Sequence, residues 1–180
     1  MTIDAETLAE LRSSVVSFAA EHLAPGALER AHDVDYPRDL ARLLAKQGLL
    51  GLSIPEDRGG QGAGLMAAIT AIQAVASQCP RSADIVQAGN FGPIRTFAQY
   101  ATDEQRERYL GGLLSGDLLM SLGMSEPGAG SAATELTTSA TPDGDGWLIN
   151  GTKVFSTHSA DADVYLVYVR FGPGLNGIGS

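Results

Sequence analysis

Near Asp117 the apolar pattern of this chain changes period, which limits the fold to a helical segment followed by a β segment. Before that point apolar residues recur every three or four positions. Leu8, Leu11, Val15, Phe18 and His22 form one stripe, closed by Pro25 and Gly26. Pro37 suits the first turn of a second helix, with Leu40, Leu43 and Leu44 inward and Gly48 at its end. Residues 49–54 read as an apolar connector and residues 55–62 as a loop. Met66, Ile69, Ile72 and Val75 predict the apolar face of an alanine-rich third helix. Shorter helices are expected over 83–88 and 92–100. A last one is capped by Thr102, carries Asp103 and Glu104 in its first turn, and ends near Gly116.

Beyond Asp117 the signal is β. Residues 118–124 predict a buried strand, 136–141 a threonine-rich one, and 142–146 a turn. Asn150-Gly151 is expected to be a type I′ turn that joins Trp147-Leu148-Ile149 to a strand over 152–157. Residues 164–171 predict one long apolar strand. The fold class is therefore α+β, with an all-α domain over 1–117 and an incomplete antiparallel, barrel-like domain over 118–180. About four strands leave an open sheet edge, so the expectation is a fragment or half of an assembly.

Composition removes several function classes. Of 180 residues, 44% are apolar and 18% charged, enough apolar content for a real core. The net charge is -9 and Lys46 and Lys153 are the only lysines, so no basic stripe exists for nucleic acid and no polybasic patch for a membrane. No run reaches the roughly 18 apolar residues of a spanning helix. The acidic N-terminal stretch does not read as a signal peptide, and the single Cys79 cannot form an internal disulfide; a cytoplasmic setting is expected. His22 reads as a residue of a helical face and His32 as one of a loop, and His158 has no paired Cys, Asp or second His in the sequence to suggest a metal or triad, so no metal site is expected.

Two segments stand out. Met124-Ser125-Glu126-Pro127-Gly128-Ala129-Gly130-Ser131 is a tight loop leaving an apolar run, and Asn150-Gly151-Thr152-Lys153-Val154-Phe155-Ser156-Thr157 ends in adjacent hydroxyls. Gly128-x-Gly130 is not a dinucleotide fingerprint, because Thr134-Glu135-Leu136-Thr137-Thr138 favours a strand where that motif needs a helix. Together with Leu52-Ser53-Ile54-Pro55-Glu56-Asp57-Arg58-Gly59-Gly60-Gln61-Gly62, the three segments in this order resemble the acyl-CoA dehydrogenase family across essentially the whole chain.

The resemblance implies FAD and an acyl-CoA substrate, with electrons passed to an electron-transfer flavoprotein and a homodimer or homotetramer as the assembly. It places Leu122, Met124 and Ser125 at the pyrimidine side of the flavin ring, and Gly130 and Ser131 beside both the cofactor and the CoA arm. Phe155, Ser156 and Thr157 would cover the ring and reach its reactive edge. A cleft walled by Ser125, Ser131, Phe155 and Thr157 is the expectation. Asn90 and Ile94 fall where the family lines its acyl pocket, against the plainer reading of core packing. Phe155 stands in place of the family's usual Trp, Ser125 of Thr, Ala132 of Asp and His158 of Asn.

The family's catalytic glutamate has no counterpart before Ser180, so the catalytic residue is unassigned. Glu126 reads as a loop charge, and Glu56 and Glu135 show no tuning partner. Two rival readings stay open: a non-catalytic or truncated subunit shaping a shared site in a hetero-oligomer, and an oxidase or monooxygenase on the same scaffold.

Overall fold

The computed structural model describes residues 3–174 and 177–180, in two compact units, Met1–Leu119 and Met120–Ser180. The first unit is helical: α1 (Ala5–His22), α2 (Ala27–His32), α3 (Arg38–Lys46), α4 (Gly64–Ala76), α5 (Pro80–Asn90), α6 (Pro93–Tyr100) and α7 (Asp103–Ser115). Asp4 caps α1 by accepting from Thr7 N at 2.8 Å. A reciprocal box starts α7: Gln105 N donates to Thr102 Oγ1 at 3.2 Å, and Thr102 N donates to Gln105 Oε1 at 3.0 Å. His32 lies in the last turn of α2, a short helix that the Pro25-Gly26 break conceals from periodicity.

The core gathers Val15, Ala19, Leu44, Val75 and Val86 with the connector leucines 49, 50 and 52. Here α4 departs from expectation. Its enclosed face is Ala67, Ala68, Ala71, Ala74 and Val75, whereas Met66 is 56% exposed and Ile69 is exposed as well. The reason is steric. α4 packs on both α1 and α5, and small side chains let those backbones approach where Met or Ile would hold them apart.

The second unit holds β1 (Met120–Gly123), β2 (Ser139–Asp143), β3 (Gly146–Asn150), β4 (Val164–Val167), β5 (Val169–Arg170) and β6 (Ile178–Gly179). β1 and β4 pair in parallel, with Leu122 opposite Leu166. The other sheet runs β3-β2-β5-β6, and neither sheet closes. Its β2–β3 and β5–β6 pairs are antiparallel, while β2–β5 is parallel, so the pairing is mixed. The single long strand expected over 164–171 is two short ones divided between the sheets. The chain breaks at Tyr168, whose N–H reaches Gly123 O at 2.9 Å.

The Asn150-Gly151 turn is overturned. The hairpin folds instead at residues 143–146, within the turn cluster, and Asn150 pairs with Ser139 at the end of β3. Residues 152–157 form no strand. Gly151 is required for a different reason: a Cβ there would sit 2.3 Å from Thr138 Oγ1 and 2.7 Å from Thr138 Cα. Close backbone approach, rather than a reversal of direction, explains the glycine.

Candidate functional site

The site is built where β1 ends. Ser121, 1% exposed, donates its hydroxyl to Thr157 O at 2.8 Å, and Val154 N donates to Ser125 O at 2.9 Å. These two bonds lay residues 154–157 along the end of β1, which brings Leu122, Met124 and Ser125 together with Phe155, Ser156 and Thr157. Leu122 is half-buried in β1, Met124 is exposed, and Ser125 and Ser156 are intermediate. Gly130 and Ser131 follow a tight turn closed by Glu126 N to Ala129 O at 2.9 Å, and both are exposed. The bonds that unite the other residues do not include Ser131.

Phe155 is a backbone outlier among the described residues. Its φ is 57° and its side chain 95% exposed, and His158 shares the left-handed backbone at φ 54°. A bulky residue rarely adopts that conformation, and it persists where the surroundings over-determine it. The aromatic ring is thereby held out into solvent. At exposed Gly130 a Cβ would meet nothing within 4 Å. Ser125 and Thr157 add side-chain hydroxyls at the same strand end.

Glu126 is far more than a loop charge. Its side chain is 4% exposed and its carboxylate accepts from Thr137 N at 2.7 Å, Thr137 Oγ1 at 2.8 Å, Thr138 N at 2.8 Å and Lys153 Nζ at 2.9 Å. Burial pushes this carboxyl up, but the hydrogen bonds from Thr138, Lys153 and Thr137 outweigh it and hold the group well below the usual carboxylate range. Lys153 donates a second time, to Met124 O at 3.1 Å. The signal was present in the sequence as one of only two lysines, lying in the same segment as Phe155.

Arg170 braces the same region from β5. Its guanidinium donates to Leu136 O at 3.1 Å, Thr134 O at 2.8 Å and Gly174 O at 2.9 Å, and so fixes the chain between the turn and β2. Sequence reading also missed Ser121, which looked like an ordinary strand residue.

Asn90 is corrected. It is 0% exposed, and its amide donates to Leu49 O and Val86 O, each at 2.8 Å, while Oδ1 accepts from Ser53 N at 3.2 Å. No surface is left for a substrate, and the residue instead anchors the connector that carries Leu52-Ser53-Ile54. Ile94, 6% exposed, is likewise part of the interior of the helical unit. Among the described residues no cluster of three metal-ligating side chains occurs, and no helix is long and apolar enough to cross a membrane.

Comparison with known proteins agrees with this frame. The family model for the acyl-CoA dehydrogenase N-terminal domain matches residues 5–117, and that for the middle domain residues 121–179. The chain belongs to the acyl-CoA dehydrogenase family, whose cofactor is FAD. It is 36% identical over 165 residues to the mitochondrial isobutyryl-CoA dehydrogenase of Dictyostelium discoideum, covering 91% of this chain and 39% of that protein. The glutaryl-CoA dehydrogenase structure from Mycobacterium smegmatis matches with a TM-score of 0.82 at 28% identity, over 93% of this chain and 43% of that one. The ChsE4–ChsE5 complex from Mycobacterium tuberculosis matches with a TM-score of 0.84 at 30% identity, over 99% and 47%. The chain thus spans less than half the length of these relatives.

Proposed function

We propose that this chain supplies the helical domain and the flavin-holding part of the β domain of an FAD-dependent acyl-CoA dehydrogenase. The intact enzyme oxidises an acyl-CoA thioester to its 2-enoyl form and passes the electrons to an electron-transfer flavoprotein. The observation that carries this reading is the pair of bonds, Val154 N to Ser125 O and Ser121 Oγ to Thr157 O, that lays Phe155–Thr157 beside the end of β1.

FAD, when bound, would accept a hydride from the acyl chain. Phe155 would cover one face of its ring. The hydroxyls of Ser125 and Thr157 would donate along its polar edge, each such buried bond being worth about 1–3 kcal/mol. The backbone of Met124, whose carbonyl also accepts from Lys153 Nζ at 3.1 Å, would contact the ring. The open space beside Gly130 suits close passage of the cofactor or the CoA arm, with Ser131 next to it. Glu126 is not the proton-abstracting base, because its carboxylate is enclosed and fully engaged. That base belongs to another part of the intact enzyme. A cytoplasmic homodimer or homotetramer is the assembly proposed. The likeness to the two-protein ChsE4–ChsE5 complex gives the hetero-oligomer its specific support, with this chain as a subunit that shapes a shared site.

The test is an absorbance spectrum of the purified full-length protein, followed by anaerobic addition of acyl-CoA thioesters. Bound yellow cofactor that bleaches on addition is expected. Colourless protein that takes up no added FAD would overturn the reading, and turnover under oxygen without a thioester would replace it by oxidase chemistry.

A further inference from the structure

The buried ion pair between Glu126 and Lys153 has no contact role in the reaction proposed above, and yet it sits at the root of every segment that forms the site. Three stretches of chain meet at it. Glu126 belongs to the turn that follows Ser125, Thr137 and Thr138 precede β2, and Lys153 precedes the left-handed Phe155. Lys153 bridges two of these stretches by itself, from Glu126 Oε1 at 2.9 Å to Met124 O at 3.1 Å. The adjacent bond from Val154 N to Ser125 O continues the same register.

Energetics say that such a pair is not explained by stability alone. Taking both charges out of water costs several kcal/mol per ion, and an apolar pair of similar size often serves the fold as well. What an apolar pair cannot do is fix register, because dispersion contacts are non-directional whereas the carboxylate and ammonium demand particular partners at hydrogen-bond distance. The side chains at stake are 4% and 12% exposed, so water cannot substitute for a lost partner.

We infer that Glu126 and Lys153 are a positioning pair: they lock the Ser125 turn to the Phe155–Thr157 segment and thereby set the orientation and tightness with which the flavin ring is held. The inference rests on the flavin-binding reading and adds to it two residues that touch neither cofactor nor substrate. They act through the backbone of Met124, Ser125 and Val154.

The experiment uses the full-length protein with FAD as the probe, comparing wild type with Glu126→Gln, Lys153→Met and the double variant. FAD affinity, the visible circular dichroism of the bound flavin and its midpoint potential are measured, with far-ultraviolet dichroism as the check on folding. Each single variant is expected to bind FAD about tenfold more weakly or worse, equivalent to about 1.4 kcal/mol, with a changed visible dichroism band and shifted potential. The double variant, which leaves no orphan charge, should fold better than either single and still show the displaced flavin spectrum, because the tie to Met124 O is gone. Folded variants with wild-type affinity, spectrum and potential would overturn the inference. So would unfolding of all three, which would assign the pair to stability. A wild type that binds no FAD overturns the functional reading itself, which separates the two failures.

Discussion

Asn90 holds Ser53 from both sides: Ser53 N donates to Asn90 Oδ1 at 3.2 Å, and the Ser53 hydroxyl donates to Asn90 O. The two residues lie 37 positions apart, and through them the end of α5 grips the connector that leads to Pro55 and the loop beyond. Both residues are buried, so water does not stand in for a lost partner.

Replacing Asn90 by Ala would leave Ser53 N without its acceptor and remove the side-chain donor to Leu49 O and Val86 O; each uncompensated group costs about 1–3 kcal/mol. Val86 O belongs to an α-helix and keeps some satisfaction there, so a net loss on the order of 3 kcal/mol is expected. Urea denaturation followed by helical circular dichroism measures it. A loss below about 0.5 kcal/mol, the level of ordinary surface changes, would contradict the clamp.

Gly151→Ala should disturb the β unit although the residue is exposed. Its methyl would lie 2.3 Å from Thr138 Oγ1, and the φ of 154° is itself uncommon for an L side chain. A destabilisation of about 1–3 kcal/mol is expected, as for overpacking elsewhere, with weaker FAD binding because Lys153 lies two residues on. Calorimetric melting together with FAD titration reports both effects.

The pH dependence follows from Glu126. Its carboxyl is held down in the folded state relative to its ordinary value of 4.5, so it contributes stability above that pH and loses it as pH falls towards the folded-state value. Stability should therefore decline through the acid range below about 4.5, and Glu126→Gln should flatten that decline. Denaturation midpoints measured between neutral and strongly acid pH give the slope. An equal slope in wild type and variant would remove Glu126 from the account.

Thr157→Val keeps the shape of an exposed side chain and deletes its hydroxyl. Since the backbone tie from Ser121 goes to Thr157 O, the fold should be unaffected, with a stability change within about 0.5 kcal/mol. Flavin affinity or the rate of flavin reduction should fall about tenfold, the effect of losing one donor at a charged or polar ring edge. Stopped-flow reduction under anaerobic conditions reads the rate.

How much of this was legible in advance depended on the range of the interaction concerned. The order of elements, helices and then strands, is written in local periodicity, and so is the Thr102 cap, because a cap is settled within one turn of helix. Leu122, Met124, Ser125, Phe155, Ser156 and Thr157 could be picked out as a group, since their residue types and order carry the family pattern. Periodicity misjudged Met66 and Ile69, because an apolar stripe does not say which face a neighbouring helix will approach. Asn150-Gly151 misled for a similar reason: the dipeptide suits a turn, but the glycine is needed for its contact with Thr138, thirteen residues earlier.

What the sequence by itself determined was therefore the order of a helical part followed by a β part, the boundary region between them and the Thr102 cap, all governed by local backbone preference and side-chain chemistry. Only the tertiary structure decided that Glu126 and Lys153 neutralise each other, that Asn90 is enclosed rather than facing a substrate, and that Phe155 stands outward on left-handed backbone. Those outcomes depend on which distant atoms are within hydrogen-bond reach and on which surfaces water has left, and neither is encoded in any short stretch of chain.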